Sequence, residues 1–218
     1  MSCGGGTRYS TILSGRTWLS KKTCELQLER PAGFDFLPGQ GICLGEGTGQ
    51  REYSLASGRA ESRLALCIRR VPNGPLSSWL SEAPPGQQLF FTGPHGFFTY
   101  RASTRPAVFV ATGTGIAPFL SMARSGQEGF TLVHGARTAE ELYYGESLRA
   151  AALRYVPCLT EGSAPGAFSG RVTGWLKAQL PPGSYDFYLC GRREMVRDVT
   201  WLVDESFPGS RLYAEIFF

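Results

Sequence analysis

The chain has 218 residues, which is enough for one large or two small domains, because domains most often contain about 100–150 residues. The formal net charge is only +4 and the charged residues are scattered, so the sequence has no basic arm for nucleic acid and no polybasic membrane-binding segment. No apolar stretch approaches the ~20 residues of a membrane span, and the first residues lack the regions of a signal peptide. We expect a cytoplasmic protein without nucleic-acid or membrane partners.

The six cysteines lie far apart in the sequence, and no pair has Cys-x-x-Cys spacing. That spacing is typical of iron–sulfur clusters and structural zinc sites. The only two histidines, His95 and His134, offer few other ligands. We therefore expect no metal centre, and free thiols in a reducing compartment.

The first hundred residues contain short alternating segments separated by glycine and proline turns, a pattern typical of β-strands. The pattern predicts six strands and one helical break, in which apolar residues at positions 76, 79 and 80 share a helical face. Many short strands of this kind favour a small antiparallel β-barrel. The predicted strands are Tyr9–Leu13, Thr23–Leu28, Gly41–Leu44, Arg51–Ser57, Arg63–Arg69 and Gln88–Thr92.

After residue 102 the pattern changes to alternating strands and helices. Each predicted strand is an apolar run of the kind found in buried parallel sheets. This order predicts an open, Rossmann-like parallel α/β sheet, so we expect two domains, residues 1–102 and residues 103–218. The predicted pairs of strand and helix are Ala107–Ala111 with Ala117–Ala123, Phe130–His134 with Ala139–Leu148, Arg154–Leu159 with Arg171–Leu180, and Asp186–Cys190 with Glu194–Asp204, before a last strand, Arg211–Phe218.

Two short motifs in the first domain have the chemistry needed to hold a flavin dinucleotide. Arg-Glu-Tyr-Ser at Arg51–Ser54 places a guanidinium and a phenol ring on one face of a strand, with a hydroxyl adjacent. Gly-Pro-Leu-Ser at Gly74–Ser77 opens a helix, whose first amides favour an anion. Alone, each motif is more typical of an ordinary strand or a plain helix cap. Together they favour the binding of a pyrophosphate.

A third motif, Gly-Thr-Gly-Ile-Ala-Pro at Gly113–Pro118, links a predicted strand to a predicted helix. Gly113 and Gly115 let the backbone approach a phosphate closely, and Pro118 suits the first turn of a helix. The motif differs from Gly-x-Gly-x-x-Gly because proline replaces the third glycine. A connection that uses glycine for its geometry alone is the alternative interpretation.

In their order along the chain, these motifs resemble those of the ferredoxin–NADP(H) reductase family, and the tail looks most like the bacterial branch of that family. The resemblance implies an FAD-binding barrel, an NADP-binding Rossmann-like domain, and electron exchange with a ferredoxin or flavodoxin. We also expect a monomer. The segments that carry the resemblance are Arg51–Ser54, Gly74–Ser77, Gly93–Gly96, Gly113–Pro118, Cys190–Gly191 and Ala214–Phe218.

The resemblance also implies roles for individual residues. Arg51 would hold the FAD pyrophosphate, Tyr53 would stack on the flavin, and Ser54 would lie near its reactive nitrogen. Cys190 and Glu215 would lie beside the nicotinamide, so that Ser54, Cys190 and Glu215 are the candidate catalytic residues. The other residues implied in cofactor binding are Ile68, Arg69, Gly74, Leu76, Ser77, Thr112, Thr114, Gly115, Gly191, Phe217 and Phe218.

Two arginines bear on the choice of coenzyme. Arg137 follows the second strand of the parallel sheet, where the adenosine 2′-phosphate of NADPH would lie, and Arg171 resembles another arginine of bacterial NADPH sites. At Thr160-Glu161 the sequence departs from the Ser-Arg-Glu that bacterial NADPH enzymes often carry. We therefore expect a modest preference for NADPH over NADH.

The combined pattern predicts an FAD-dependent oxidoreductase that exchanges electrons between NADPH and a one-electron carrier, ferredoxin or flavodoxin. One alternative is the NADH-linked reductase component of a multi-protein oxygenase. We favour it less than the first function, because such components are often fused to a cluster domain. Another alternative is a non-catalytic flavin subunit with an electron-transfer or regulatory role.

Overall fold

The computed structural model describes residues 6–45, 49–72 and 74–217, so the cofactor contact predicted for Phe218 lies outside the described residues. The chain divides into two compact units. One comprises Met1–Tyr100 and Leu120–Ser125, and the other comprises Arg101–Phe119 and Gly126–Phe218.

The first unit is an antiparallel six-stranded barrel, which confirms the predicted fold. The two outer strands of the sheet are joined by a bridge between Leu55 and Leu66 and by a 2.8 Å hydrogen bond from the Ala56 N–H to the Ala65 carbonyl. The strands lie in the order β4-β3-β6-β1-β2-β5. The elements are β1 (Arg8–Ser20), β2 (Thr23–Glu29), β3 (Gly41–Leu44), β4 (Arg51–Ser54), β5 (Arg63–Arg69), α1 (Pro75–Glu82) and β6 (Gln88–His95).

Strand β1 is longer than predicted, because it continues past Leu13 to Ser20. Its first half pairs with β6, and its second half pairs with β2 after a register shift between Leu13 and Gly15. An irregularity of this kind bends a strand and increases its twist, which lets a small sheet close on itself.

The barrel core is formed by alternate residues of neighbouring strands. Leu26 pairs with Leu66 and Leu28 with Leu64, and all four side chains are fully buried. Because side chains directly opposite each other point to the same face, this register places one continuous apolar layer inside the barrel.

The second unit is a parallel six-stranded sheet with helices between its strands, as predicted. All neighbouring strands are parallel, in the order β10-β9-β8-β7-β11-β12. The elements from residue 107 onward are β7 (Ala107–Thr112), α2 (Ala117–Arg124), β8 (Thr131–Ala136), α3 (Gly145–Ala151), β9 (Arg154–Leu159), β10 (Phe168–Ser169), α4 (Val172–Gln179), β11 (Asp186–Arg192), α5 (Arg193–Ser206) and β12 (Arg211–Phe217). The part of α2 from Leu120 onward is grouped with the first unit.

Two features of this unit differ from the sequence prediction. The helix predicted over Ala139–Leu148 is interrupted, because Tyr144 adopts a left-handed backbone with φ of 60° and α3 begins only at Gly145. The short edge strand β10 is also absent from the prediction, and two residues are too few to show a strand periodicity.

The cysteines are mostly free thiols. This prediction is confirmed for Cys24, Cys67, Cys158 and Cys190, and it is wrong for Cys43, which is disulfide-bonded. Within the described segments, no cluster of three or more histidine, cysteine, aspartate or glutamate side chains could hold a metal ion. The same segments contain no helix that is long and apolar enough to cross a membrane.

Candidate functional site

Strand β4 of the first unit carries the predicted flavin-binding side chains. Arg51 is exposed. Within the described residues, its guanidinium donates one hydrogen bond, to the neighbouring Gln50 carbonyl at 2.7 Å. Tyr53 packs partly against the barrel core, and burial raises the pKa of its phenol to about 12. The ring is therefore neutral at physiological pH, which suits stacking on an aromatic cofactor. Ser54 is buried at the end of the strand.

The neighbouring strand β3 lies very close to β4. A Cβ atom at Gly41 would lie 2.7 Å from the Tyr53 carbonyl oxygen, so only glycine allows this approach. The close contact fixes the backbone that carries Tyr53 and Ser54. Their side chains are thus held on a rigid strand rather than on a loop.

Helix α1 presents its N-terminus after Gly74, and its first turn contains no acidic residue. The Ser77 hydroxyl accepts the Val71 N–H and donates to the Gly74 carbonyl, both at 3.2 Å. This hydroxyl therefore fixes the loop, so an anion at this end would be held mainly by backbone amides.

Three other predicted flavin contacts have limited exposure. Ile68 is fully buried in the core, which leaves only its main chain for a ligand. Arg69 is half-buried at the end of β5, and Leu76 packs partly against the barrel core.

In the second unit, the predicted coenzyme residues converge at the carboxyl ends of β7 and β11. A Cβ atom at Gly115 would lie 2.4 Å from the Cys190 carbonyl oxygen, and one at Gly191 would lie 2.2 Å from the Thr112 hydroxyl oxygen. The same hydroxyl accepts the Arg192 N–H at 3.2 Å. Both glycines are thus required by close backbone contacts, which hold the turn before α2 against the end of β11.

The turn before α2 fits a phosphate group. Gly113 has φ of +58°, and an added Cβ would meet no atom within 4 Å, so there is open space beside the turn. Half-buried Thr114 lies on the same turn. Backbone amides at the start of a helix attract anions, and no acidic residue opposes them in the first turn of α2.

The distribution of acidic residues distinguishes the helices. The first turns of α1, α2 and α4 contain no acidic residue, whereas those of α3 and α5 contain Glu146 and Glu194. In the first unit, α1 begins within the predicted anion-binding segment Gly74–Ser77. In the second unit, α2 begins within Gly113–Pro118, and α4 follows Arg171. Each of these helix starts therefore lacks a carboxylate that would repel an anion.

Cys190 and Glu215 are paired across β11 and β12, with 4.0 Å between the thiol sulfur and Oε2. Burial and the Glu215 charge raise the pKa of Cys190 well above its usual value, so the thiol stays protonated. Its side chain is fully buried. Direct contact with a nicotinamide ring would therefore need neighbouring side chains to move. Half-buried Phe217 lies two residues beyond Glu215, opposite Arg192 in the same register.

The two arginines predicted to bind the 2′-phosphate are both exposed; Arg137 follows β8, and Arg171 follows β10, on the other side of β9. The Glu161 N–H donates to the Arg137 carbonyl at 2.8 Å, which joins the turns after β8 and β9. Arg171 follows Gly170, whose N–H donates to the Leu159 carbonyl at 2.7 Å. The structure thus brings the backbones of both arginines to the carboxyl ends of β8 and β9.

Sequence reasoning missed Glu141 at this edge of the sheet. Its Oε2 accepts the Arg137 N–H at 3.4 Å, so a carboxylate lies next to the arginine predicted to bind a phosphate. The signal was present in the spacing Thr138-x-x-Glu141, which is that of a capping box at a helix start. Together with Glu161, this carboxylate makes the edge less favourable for a 2′-phosphate than two arginines alone would be.

The chain matches two family models, an oxidoreductase FAD-binding domain over residues 11–100 and an oxidoreductase NAD-binding domain over residues 109–200. The anthranilate 1,2-dioxygenase electron transfer component of Acinetobacter baylyi is 32% identical, over 99% of this chain and 69% of its own length. Ferredoxin–NADP reductase B of Sorangium cellulosum is 36% identical, over 75% of this chain and 73% of its own length.

A solved structure and two further relatives define the extent of the similarity. A ferredoxin NADP⁺ reductase from Neisseria gonorrhoeae has the same fold, with a TM-score of 0.86 at 24% identity, over 98% of this chain and all of that one. The chain spans only 62% of the length of two other dioxygenase electron transfer components.

Proposed function

The chain belongs to the ferredoxin–NADP(H) reductase family, and from this we propose that it carries electrons between NADPH and a one-electron carrier protein of the ferredoxin or flavodoxin type. The observation that carries the proposal is the close contact of Gly115 with the Cys190 backbone, beside a turn with open space and no opposing carboxylate. Residues 1–102 would hold FAD, and residues 103–218 would hold the coenzyme.

In the first domain, the chain would bind and orient the flavin. Arg51 and the amides at the start of α1 would neutralise the pyrophosphate, because the guanidinium is cationic and the first turn of α1 contains no acidic residue to oppose its amides. The neutral Tyr53 ring would stack on the isoalloxazine, and Ser54 would lie beside its reactive nitrogen. When bound, FAD supplies the conversion between a two-electron hydride exchange and single-electron exchange.

In the second domain, the chain would position the nicotinamide. Thr112, Thr114 and Gly115 would hold the coenzyme at the end of β7, while Cys190 and Glu215 would align the ring. Because the Cys190 thiol is protonated and buried, its contribution would be steric alignment rather than acid–base or nucleophilic chemistry. Arg137 and Arg171 would bind the 2′-phosphate.

A second candidate function is that of an NADH-linked oxygenase reductase. The observation that favours it is the position of the Glu141 carboxylate next to the Arg137 amide, since a carboxylate at this edge suits a ribose hydroxyl better than a phosphate. The name of the Acinetobacter baylyi relative agrees with this candidate.

Steady-state turnover with four coenzyme and carrier combinations tests both candidates. The FAD-loaded protein is given NADPH or NADH, and the reduction of a [2Fe–2S] ferredoxin or a flavodoxin is followed by absorbance. The proposal expects turnover with at least one carrier and a higher kcat/KM for NADPH than for NADH. A higher kcat/KM for NADH supports the oxygenase reductase, and no turnover with any combination contradicts both.

A further inference from the structure

One end of the barrel carries exposed tryptophans and cations for which the proposed function has no role. Trp18, Cys24 and Ile68 are directly opposite one another across β1, β2 and β5. Cys24 and Ile68 are fully buried, whereas Trp18 is 45% exposed. Because opposed side chains point to the same face, Trp18 extends the inner face of the barrel into solvent at this end.

Two arginines lie at the same end and contact the last residues of α1. The Arg16 guanidinium lies 5.9 Å from the Trp18 ring and donates to the Ala83 carbonyl at 3.1 Å. The Arg70 guanidinium lies 3.5 Å from the Glu82 carboxylate, and the backbone N–H of Arg70 donates to the Lys22 carbonyl at 2.8 Å. These contacts place Arg16 and Arg70 beside the last residues of α1.

The buried thiol of Cys24 lies within electrostatic reach of both arginines. Burial raises the pKa of Cys24 to about 11, and the charges of Arg16 and Arg70 oppose that rise. This agrees with the contacts of both arginines with the last residues of α1.

Helix α1 adds a second exposed aromatic ring. Trp79 is 46% exposed, and it lies three and four residues before Glu82 and Ala83, which contact the two arginines. Residues at this spacing share a helix face. We call Arg16, Trp18, Lys22, Arg70 and Trp79 the tryptophan patch.

The tryptophan patch is strongly cationic. Glu82 is paired with Arg70, and within the part of the chain that the structure describes no carboxylate pairs with Lys22. Lys21 lies beside Lys22 in the same exposed turn. Tryptophan and arginine are the side chains most enriched among those that dominate protein–protein binding energies, and clustered cations steer acidic proteins to a surface.

We propose that the tryptophan patch is the docking surface for an acidic electron-carrier protein. This inference rests on the proposed function. The patch contacts the last turn of α1, whose first turn is the proposed pyrophosphate anchor, and eight helical residues span only about 12 Å. A carrier docked there would lie close to the proposed flavin anchor and beside Ile68 and Arg69, two residues implied in cofactor binding.

Charge reversal on the patch tests this surface in the FAD-loaded protein. Lys22→Glu and the double variant Lys22→Glu/Arg70→Gln are compared with wild type, with Lys22→Arg, and with the matched control Lys177→Glu on an exposed helix position of the other unit. The readouts are the reduction of an acidic [2Fe–2S] ferredoxin, the reduction of ferricyanide, which needs no protein docking, and the flavin content.

We expect Lys22→Glu/Arg70→Gln to lower kcat/KM for ferredoxin roughly tenfold at about 0.05 M ionic strength, and less than about twofold at about 0.5 M, where exposed charges are screened. Ferricyanide reduction and flavin content should match wild type, and Lys22→Arg and Lys177→Glu should behave as wild type. If kcat/KM for ferredoxin falls equally in the double variant and in Lys177→Glu, or in neither, the tryptophan patch is not the docking surface.

Two other results would also rule out the tryptophan patch as a docking surface. Loss of flavin from the double variant would mean that these cations hold FAD rather than a protein. Failure of the wild-type protein to reduce any carrier would contradict the proposed function itself. If the wild-type protein reduces ferredoxin and the patch variants do so equally well, the proposed function stands and only the docking surface is wrong.

Discussion

Gly115→Ala is expected to lower thermal stability and slow coenzyme-dependent flavin reduction together. The added methyl carbon would lie 2.4 Å from the Cys190 carbonyl oxygen and 2.6 Å from the Gly191 Cα, and neither main-chain atom can rotate away. Since ordinary contacts need about 3.5 Å, the turn and β11 must separate by roughly 1 Å. Overpacking of this kind costs about 1–3 kcal/mol, which lowers Tm by roughly 2–12 °C in a chain of this size.

The same displacement moves the residues proposed to hold the nicotinamide. A misplacement of about 1 Å can slow a reaction between aligned groups about a hundredfold, so stopped-flow flavin reduction at saturating NADPH should fall by up to that factor. Gly49→Ala and Gly126→Ala serve as controls. An added Cβ would meet no atom within 4 Å at either position. Gly126 also has a φ of +91°, so Gly126→Ala measures the effect of backbone strain without a steric clash. Wild-type Tm and reduction rate in Gly115→Ala would refute the close-contact argument.

Three further predictions concern single side chains. Arg51→Ala should weaken FAD binding about 10–100-fold, since charge-assisted hydrogen bonds contribute about 1.5–3 kcal/mol. The flavin-to-protein absorbance ratio after gel filtration measures this loss. Preferential binding of FMN by the wild-type protein would contradict the assignment of Arg51 to the FAD pyrophosphate. Arg137→Ala should raise KM for NADPH and leave KM for NADH nearly unchanged, and equal effects on both would make Arg137 structural. By the family resemblance, the Phe217 ring would cover the flavin face on which the nicotinamide must stack. Phe217→Ser should therefore strengthen NADP⁺ binding about 2–10-fold, and unchanged affinity by titration would exclude this role.

Periodicity predicted most of the fold, because both sheets bury faces that the sequence shows directly. The apolar run Ala107–Ala111 and the alternation in Arg63–Arg69 each gave the correct strand. The prediction ended β1 at Leu13, whereas the strand changes partner there, and partner exchange depends on contacts with residues far along the chain. Tyr144 interrupts a helical pattern through its own left-handed backbone, which a residue without glycine's freedom rarely adopts.

The candidate site was predicted less completely than the fold. The structure brings Gly115 and Gly191, which the motifs singled out, to one edge of the sheet, where a side chain does not fit. They did not reveal that Cys190 is fully buried, since burial of one thiol depends on its packing and not on its spacing. Glu141 had a local capping signal, but its approach to the Arg137 amide required the fold of the loop between them.

Anaerobic addition of NADPH to the FAD-loaded protein, followed by the absorbance of the oxidised flavin, measures whether this chain transfers electrons at all. We expect the flavin band to bleach after mixing and to return when a ferredoxin or flavodoxin is added as electron acceptor. A flavin that stays oxidised with both NADPH and NADH would contradict electron transfer by this chain, and would instead identify a flavin subunit without catalysis.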